Sequence, residues 1–97
     1  MTIKTLEHTS KDVTVDDDRL LRCPEVEALR GFKRGRIYQE CREGLLPAPI
    51  KNGKRSLAWV LSEIRAVNRA RIAGHTDDQI RALVSSLLEQ RTAGGDK

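Results

Sequence analysis

Four cations and one amide are spaced so that they could do chemistry together. Lys33, Arg34, Arg36, Gln39 and Arg42 run through a stretch whose apolar positions, Ile37 and Cys41, lie four apart. On a helix, that spacing turns Ile37 and Cys41 inward and puts Gly35, Arg36, Gln39, Arg42 and Glu43 on the opposite face. The chemistry open to such a face is recognition of nucleic acid. A guanidinium can donate twice to a guanine edge, an amide can pair with adenine, and any cation can hold phosphate. Of Arg34 and Arg36, one is suited to guanine and the other to phosphate. Gln39 is suited to adenine, and Gly35 would let the helix approach the groove closely. Lys33 and Arg42 are placed as backbone clamps. Tyr38 is either a phosphate donor or a ring filling the corner beside the helix. Glu43 either orients Arg42 or is solvated.

A second basic cluster follows at Lys51, Asn52, Gly53, Lys54 and Arg55. Asn-Gly is a strong two-residue hairpin signal, because both turn residues must tolerate positive φ. Residues 49–51 and 55–59 flank it and can pair, and Pro47 and Pro49 confine the first strand to an edge. Ile50, Leu57 and Trp59 are expected to share the face that lies on the helices. Cations at such a tip contact phosphates most simply, and an arginine there can also enter a narrow minor groove.

The elements that must position these clusters are also legible. Leu20 and Leu21 read as a short lead-in strand. Cys23-Pro24-Glu25 opens a helix, since proline suits the first helical position and an acid suits the first turn. Val26 and Leu29 give its buried stripe, with Ala28 beside it, and Gly31 ends it. A second helix over residues 33–43 stops at Gly44, and Pro47 prevents its continuation. Two short helices joined by a glycine-containing turn make a helix-turn-helix pattern. Ser62 is placed to cap a third helix whose apolar positions are Ile64, Val67 and Ile72, ended by Gly74. Thr76 and Gln79 then form a capping box. Ile80, Leu83, Val84, Leu87 and Leu88 follow at amphipathic helical spacing. The expected organisation is an acidic mobile arm at residues 1–18, a DNA-binding domain at 19–74, an amphipathic helix at 75–91 and a loose tail at 92–97. The fold class is mainly α with a small β-hairpin wing, a winged helix-turn-helix. Ile37, Cys41, Leu46, Ile50 and Trp59 read as its core.

Ninety-seven residues allow one small domain with a thin core. The net charge is +4, and it is unevenly distributed. Residues 1–18 balance to −3, residues 19–60 to +6 and residues 61–97 to +1. The middle of the chain therefore attracts phosphate backbones, unless its cations simply form a solvated face. Cys23 and Cys41 form no CxxC pair, which reads as free thiols in a reducing, cytoplasmic setting. The two histidines are far apart in sequence, so a metal site is not expected. No apolar run approaches the ~20 residues that span a bilayer. There is no nucleophile–base pair and no phosphate-cradling glycine loop, so neither an enzyme nor a cofactor is expected.

From residue 19 to 73 the chain resembles the AlpA family of prophage regulators, part of the MerR-like winged-helix and excisionase group. The likeness rests on RLLRCPEVEALRGF, on RIYQECREGLLPAPIKNGKRSLAW and on SEI. It implies that the helix bearing Ile37 and Tyr38 enters the major groove of double-stranded DNA. It also implies that the wing near Gly53 and Arg55 touches the backbone or minor groove. The chain departs from the family where Ser-Arg-Ser-Thr usually precedes Ile-Tyr, for here Lys33-Arg34-Gly35-Arg36 stands. That replaces an N-cap worth about 1 kcal/mol with a cation at the positive end of a helix. Phosphate oxygens in a complex could supply the missing cap.

These readings lead to a DNA-binding regulator of a phage, plasmid or integrated element, associated with the nucleoid and in contact with RNA polymerase or a recombinase. The same surface would serve a directionality factor for excision. A separate alternative is an interaction adaptor that uses the helix over residues 76–91. The stripe Ile80, Leu83, Val84, Leu87 and Leu88 either packs within the chain or forms a homodimer contact, as the C-terminal helix of MerR-like regulators does.

Overall fold

The computed structural model describes residues 19–95, with side chains through Arg91. The expected arm at 1–18 and the last two residues lie outside the described residues. The elements are β1 (Leu20–Leu21), α1 (Cys23–Arg30), α2 (Arg34–Arg42), β2 (Ile50–Lys51), β3 (Leu57–Val60), α3 (Leu61–Ile72) and α4 (Asp77–Gly95). This is a mainly helical winged helix-turn-helix with a small antiparallel sheet.

Local chemistry explains most boundaries. At the start of α1, the Glu25 carboxylate accepts from the Arg22 backbone N–H at 2.8 Å, with Pro24 in the first turn. Gly31, at φ 75°, closes that helix. Helix α2 begins from an extended Lys33 with no side-chain cap and no acid in its first turn, as its sequence implies. It closes at Gly44, where φ is 77° and the Leu45 N–H reaches the Glu40 carbonyl at 2.9 Å. Only glycine adopts that backbone freely. The Thr76–Gln79 capping box is present in both directions, at 2.8 and 3.2 Å.

The sheet is larger than a hairpin. Its order is β1-β3-β2, with Leu20 opposite Val60, Leu21 opposite Trp59, Ile50 opposite Ala58 and Lys51 opposite Leu57. The wing turn also differs from expectation. Pairing stops at Lys51 and Leu57, leaving a loop over residues 52–56 closed by the Asn52 N–H on the Ser56 carbonyl at 2.8 Å. Only Gly53 takes positive φ, 124°, so Asn52 does not form the two-residue turn. Arg55 consequently sits in the loop. Ile50 pairs with Ala58, so it cannot share a face with Leu57, which is exposed.

The core gathers around Trp59, with Leu21, Val26, Ile37, Leu46, Ile64, Val67, Ile80 and Val84. Three apolar positions read from periodicity behave differently. Leu29 is exposed because the eight-residue α1 buries only Val26. Ile72 is 85% exposed, lying in the last turn of α3 beyond the covering helices. Cys41 is half-buried. Ser62 does not cap α3, because β3 runs straight into the helix and Val60 takes the cap position.

Helix α4 continues to Gly95. Ile80 and Val84 belong to the core of this same chain, and Leu83, Leu87 and Leu88 pack against it. The stripe suggested for a dimer is thus turned toward α3 and the domain interior. A thin core needs that helix as its own cover.

Candidate nucleic-acid interface

Helices α1 and α2 are joined by Gly31, Phe32 and Lys33, and their mutual angle is set by a buried ion pair. Arg30 Nη2 donates to both Glu40 oxygens, at 3.0 and 3.1 Å, and Nη1 donates to Asn68 Oδ1 at 2.7 Å. The Asn68 amide in turn donates to the Leu29 carbonyl at 3.0 Å. Both charged side chains are almost fully enclosed. A pair of this kind adds little net stability against an apolar replacement, but losing one partner is costly, so it acts to hold one geometry. The Arg30 Nε is buried without an acceptor, which is a real cost of this arrangement. Sequence reasoning missed Glu40. The signal was its place three residues after Ile37, on the inward side of α2.

The exposed side of α2 carries Lys33, Arg34, Gly35, Arg36, Gln39 and Arg42. The Arg34 guanidinium lies over the Tyr38 ring at 5.5 Å. Tyr38 packs edge-on against Trp59, with ring centroids 5.7 Å apart, so it fills the corner between helix and wing. Arg36 stacks on Phe32 at 4.4 Å, and its Nε lies 3.9 Å from Glu40 Oε2. Gln39 donates to Glu43 at 3.1 Å, so Glu43 orients the glutamine rather than Arg42. Space is open where a Cβ on Gly35 would stand, so its hydrogen leaves a low point in this face.

The wing exposes Lys51, Asn52, Gly53, Lys54 and Arg55. Its base is held by α4. Arg91 donates to the Ala48 carbonyl at 2.7 Å and grips the buried Glu63. The other end of α4 braces α2, where Arg81 Nε donates to the Glu43 carbonyl at 2.9 Å. That satisfies a carbonyl at the helix C-terminus with a cation. Neither arginine was singled out by sequence reasoning, because their partners lie 28 to 43 residues away.

Two clefts flank α2. One, of about 430 Å³, is lined by Arg30, Arg36 and Arg71 against Glu40, Glu43 and Asp77, so its charges compensate one another. The other, of about 350 Å³, lies between the start of α1, α2 and the wing. It is lined by Arg22, Arg34 and Arg55 and by no carboxylate. Arg22 is the third cation that sequence reasoning left out of the site.

Both thiols are free and half-buried. Burial pushes both Cys23 and Cys41 up, and the nearby Trp59 indole only partly offsets this for Cys41. Cys41 donates to the Pro47 carbonyl at 3.6 Å. Glu25 is held below its usual range, first by the Arg22 backbone N–H and then by Arg19, which pairs with it at 2.7 Å. Among the described residues no three His, Cys, Asp or Glu side chains cluster as metal ligands. No helix among them is long and apolar enough to cross a membrane.

Taken together, these features define a small winged helix-turn-helix protein with a basic face formed by one helix and one wing. The chain belongs to the AlpA family: the model for "Prophage CP4-57 regulatory protein (AlpA)" matches residues 19–71, from β1 into the last turn of α3. This is a phage-related regulatory family whose members bind DNA, and it is not an enzymatic one. The chain is also similar to "Uncharacterized protein ORF88" of Enterobacteria phage P4, at 40% identity over 60 residues, covering 62% of this chain and 68% of that one. No solved structure matches the chain. Helix α4 lies beyond the matched span.

Proposed function

We propose that this protein is a sequence-specific transcriptional regulator of a phage, plasmid or integrated element. Helix α2 lies in the major groove of double-stranded DNA, and the wing rests on the adjoining backbone or minor groove. The observation that carries this reading is the carboxylate-free cleft shared by Arg34 of the helix and Arg55 of the wing. A helix and a wing that present uncompensated cations to one space suit a duplex that passes both.

Within that pose Gln39, already oriented by Glu43, addresses an adenine edge. Gly35 permits close approach. Lys33, Arg42, Lys51, Asn52 and Lys54 hold the backbone. If about five or six cations neutralise phosphates, log affinity falls with log salt at a slope of about −5.

The test is selection of bound duplexes from a random pool, followed by a reporter driven by a promoter carrying the selected site. A single enriched motif with changed reporter output is the expected result. Enrichment of no motif, or a motif whose occupancy leaves transcription unchanged, would reject the regulator.

A further inference from the structure

We infer that Arg22, Arg34 and Arg55 together seat one backbone phosphodiester of the DNA, in the cleft between the start of α1, helix α2 and the wing. The inference rests on the DNA-binding reading above and assigns to this cleft a ligand and a residue, Arg22, that the helix-plus-wing pose does not require.

Charge distinguishes this cleft. The three arginines come from three separate elements: the β1–α1 junction, the first turn of α2 and the wing loop. Among the described residues none of them makes an ion pair, whereas Arg19, Arg30, Arg71, Arg81 and Arg91 all do. Glu25, which feels the charge of Arg22, has its carboxylate taken by Arg19 and by a backbone N–H, and it does not line the cleft. Cys23 does line it, and burial pushes its thiol pKa up. Like charges brought around one space repel one another, so the arrangement is favourable once an anion enters.

Shape and polarity agree. The Tyr38 and Trp59 rings and Leu57 line the cleft, and Ser56 adds a hydroxyl donor. Arg34 is held by its stack on Tyr38, so its planar fork is presented with less freedom to lose. Guanidinium forks match phosphate oxygens. The opposite cleft has three arginines as well, but three carboxylates neutralise them, and it makes no comparable anion site. One consequence concerns the division of labour in the first turn of α2. Arg34 takes the phosphate, which leaves Arg36, backed by Phe32 and Glu40, for the guanine edge.

The experiment uses the full chain, R22A, R34A and R55A, with the selected duplex and an unrelated duplex, over a range of salt. Thermal melting confirms that each variant folds. R22A and R55A should weaken both duplexes several-fold alike and reduce the magnitude of the salt slope by about 1 each. A scan of single neutral methylphosphonates should then find one position that weakens the wild type but has no further effect on R22A, R34A or R55A. Wild-type affinity and slope in R22A would overturn the inference while leaving the regulator intact. Three different methylphosphonate positions would also overturn it. If inorganic phosphate saturates the cleft at low millimolar concentration and no methylphosphonate matters, the ligand is a free anion and the inference fails. Failure of the wild type to bind any duplex would overturn both readings.

Discussion

Arg91 and Glu63 form a two-pronged ion pair, with Nε on Oε2 at 2.8 Å and Nη2 on Oε1 at 2.6 Å. The same Nη2 reaches the Ala48 carbonyl at 2.7 Å. One side chain near the end of α4 thus ties the first turn of α3 to the segment leading into β2. Arg91→Ala leaves the enclosed Glu63 carboxylate without its partner and should cost about 3 kcal/mol in urea unfolding. The double variant with Glu63→Gln should recover much of that loss, since no uncompensated charge is left. If the two losses simply add, the pair is not coupled.

A second enclosed pair makes a parallel prediction for the helix-turn-helix. Glu40→Ala strands Arg30 beneath α2 and should destabilise the fold by about 3–5 kcal/mol. Replacing Arg30 and Glu40 together with Met and Leu should restore most of the stability, read as the urea midpoint. DNA selectivity should still fall in that double variant, because Arg36 loses the carboxylate beside it. Full selectivity would show that Glu40 serves only the fold.

The uncapped start of α2 predicts opposite effects on folding and binding. Lys33→Ser supplies a side-chain cap and should raise the stability of the free protein by about 1 kcal/mol. It should also weaken DNA binding, because a backbone contact and a cation near the helix N-terminus are lost. Unchanged affinity at several salt concentrations would mean that Lys33 does not meet the backbone.

Helix α4 bears on the question of a homodimer. Ile80 and Val84 are buried within the one chain, so Val84→Ala should lower stability by about 1–3 kcal/mol in a concentration-independent way. Deleting residues 75–97 should unfold or strongly destabilise the domain, as read by circular dichroism and sedimentation. A folded monomer produced from a dimer by that deletion would assign a dimerisation role to Leu83, Leu87 and Leu88.

The sequence by itself determined most helix ends and the location of the cations. Pro24, Gly31, Gly44, Gly74 and the Thr76–Gln79 box act within a few residues, so their effect is readable without knowing the fold. The run of exposed cations along α2 and the wing is similarly local, since helical spacing places it. Tertiary structure decided what each face meets. Leu29, Leu57 and Ile72 are apolar at plausible inward positions, yet all three lie outside the core and are exposed. Glu40 and Glu63 are acidic, yet they are enclosed because Arg30 and Arg91 arrive from other helices. The wing turn is a five-residue loop because the Ile50–Ala58 and Lys51–Leu57 register sets where pairing ends. Arg22 joins Arg34 and Arg55 only because β1 pairs with β3 and brings the start of α1 beside the wing. Burial and charge compensation depend on partners distant in the chain, and local periodicity carries no record of them.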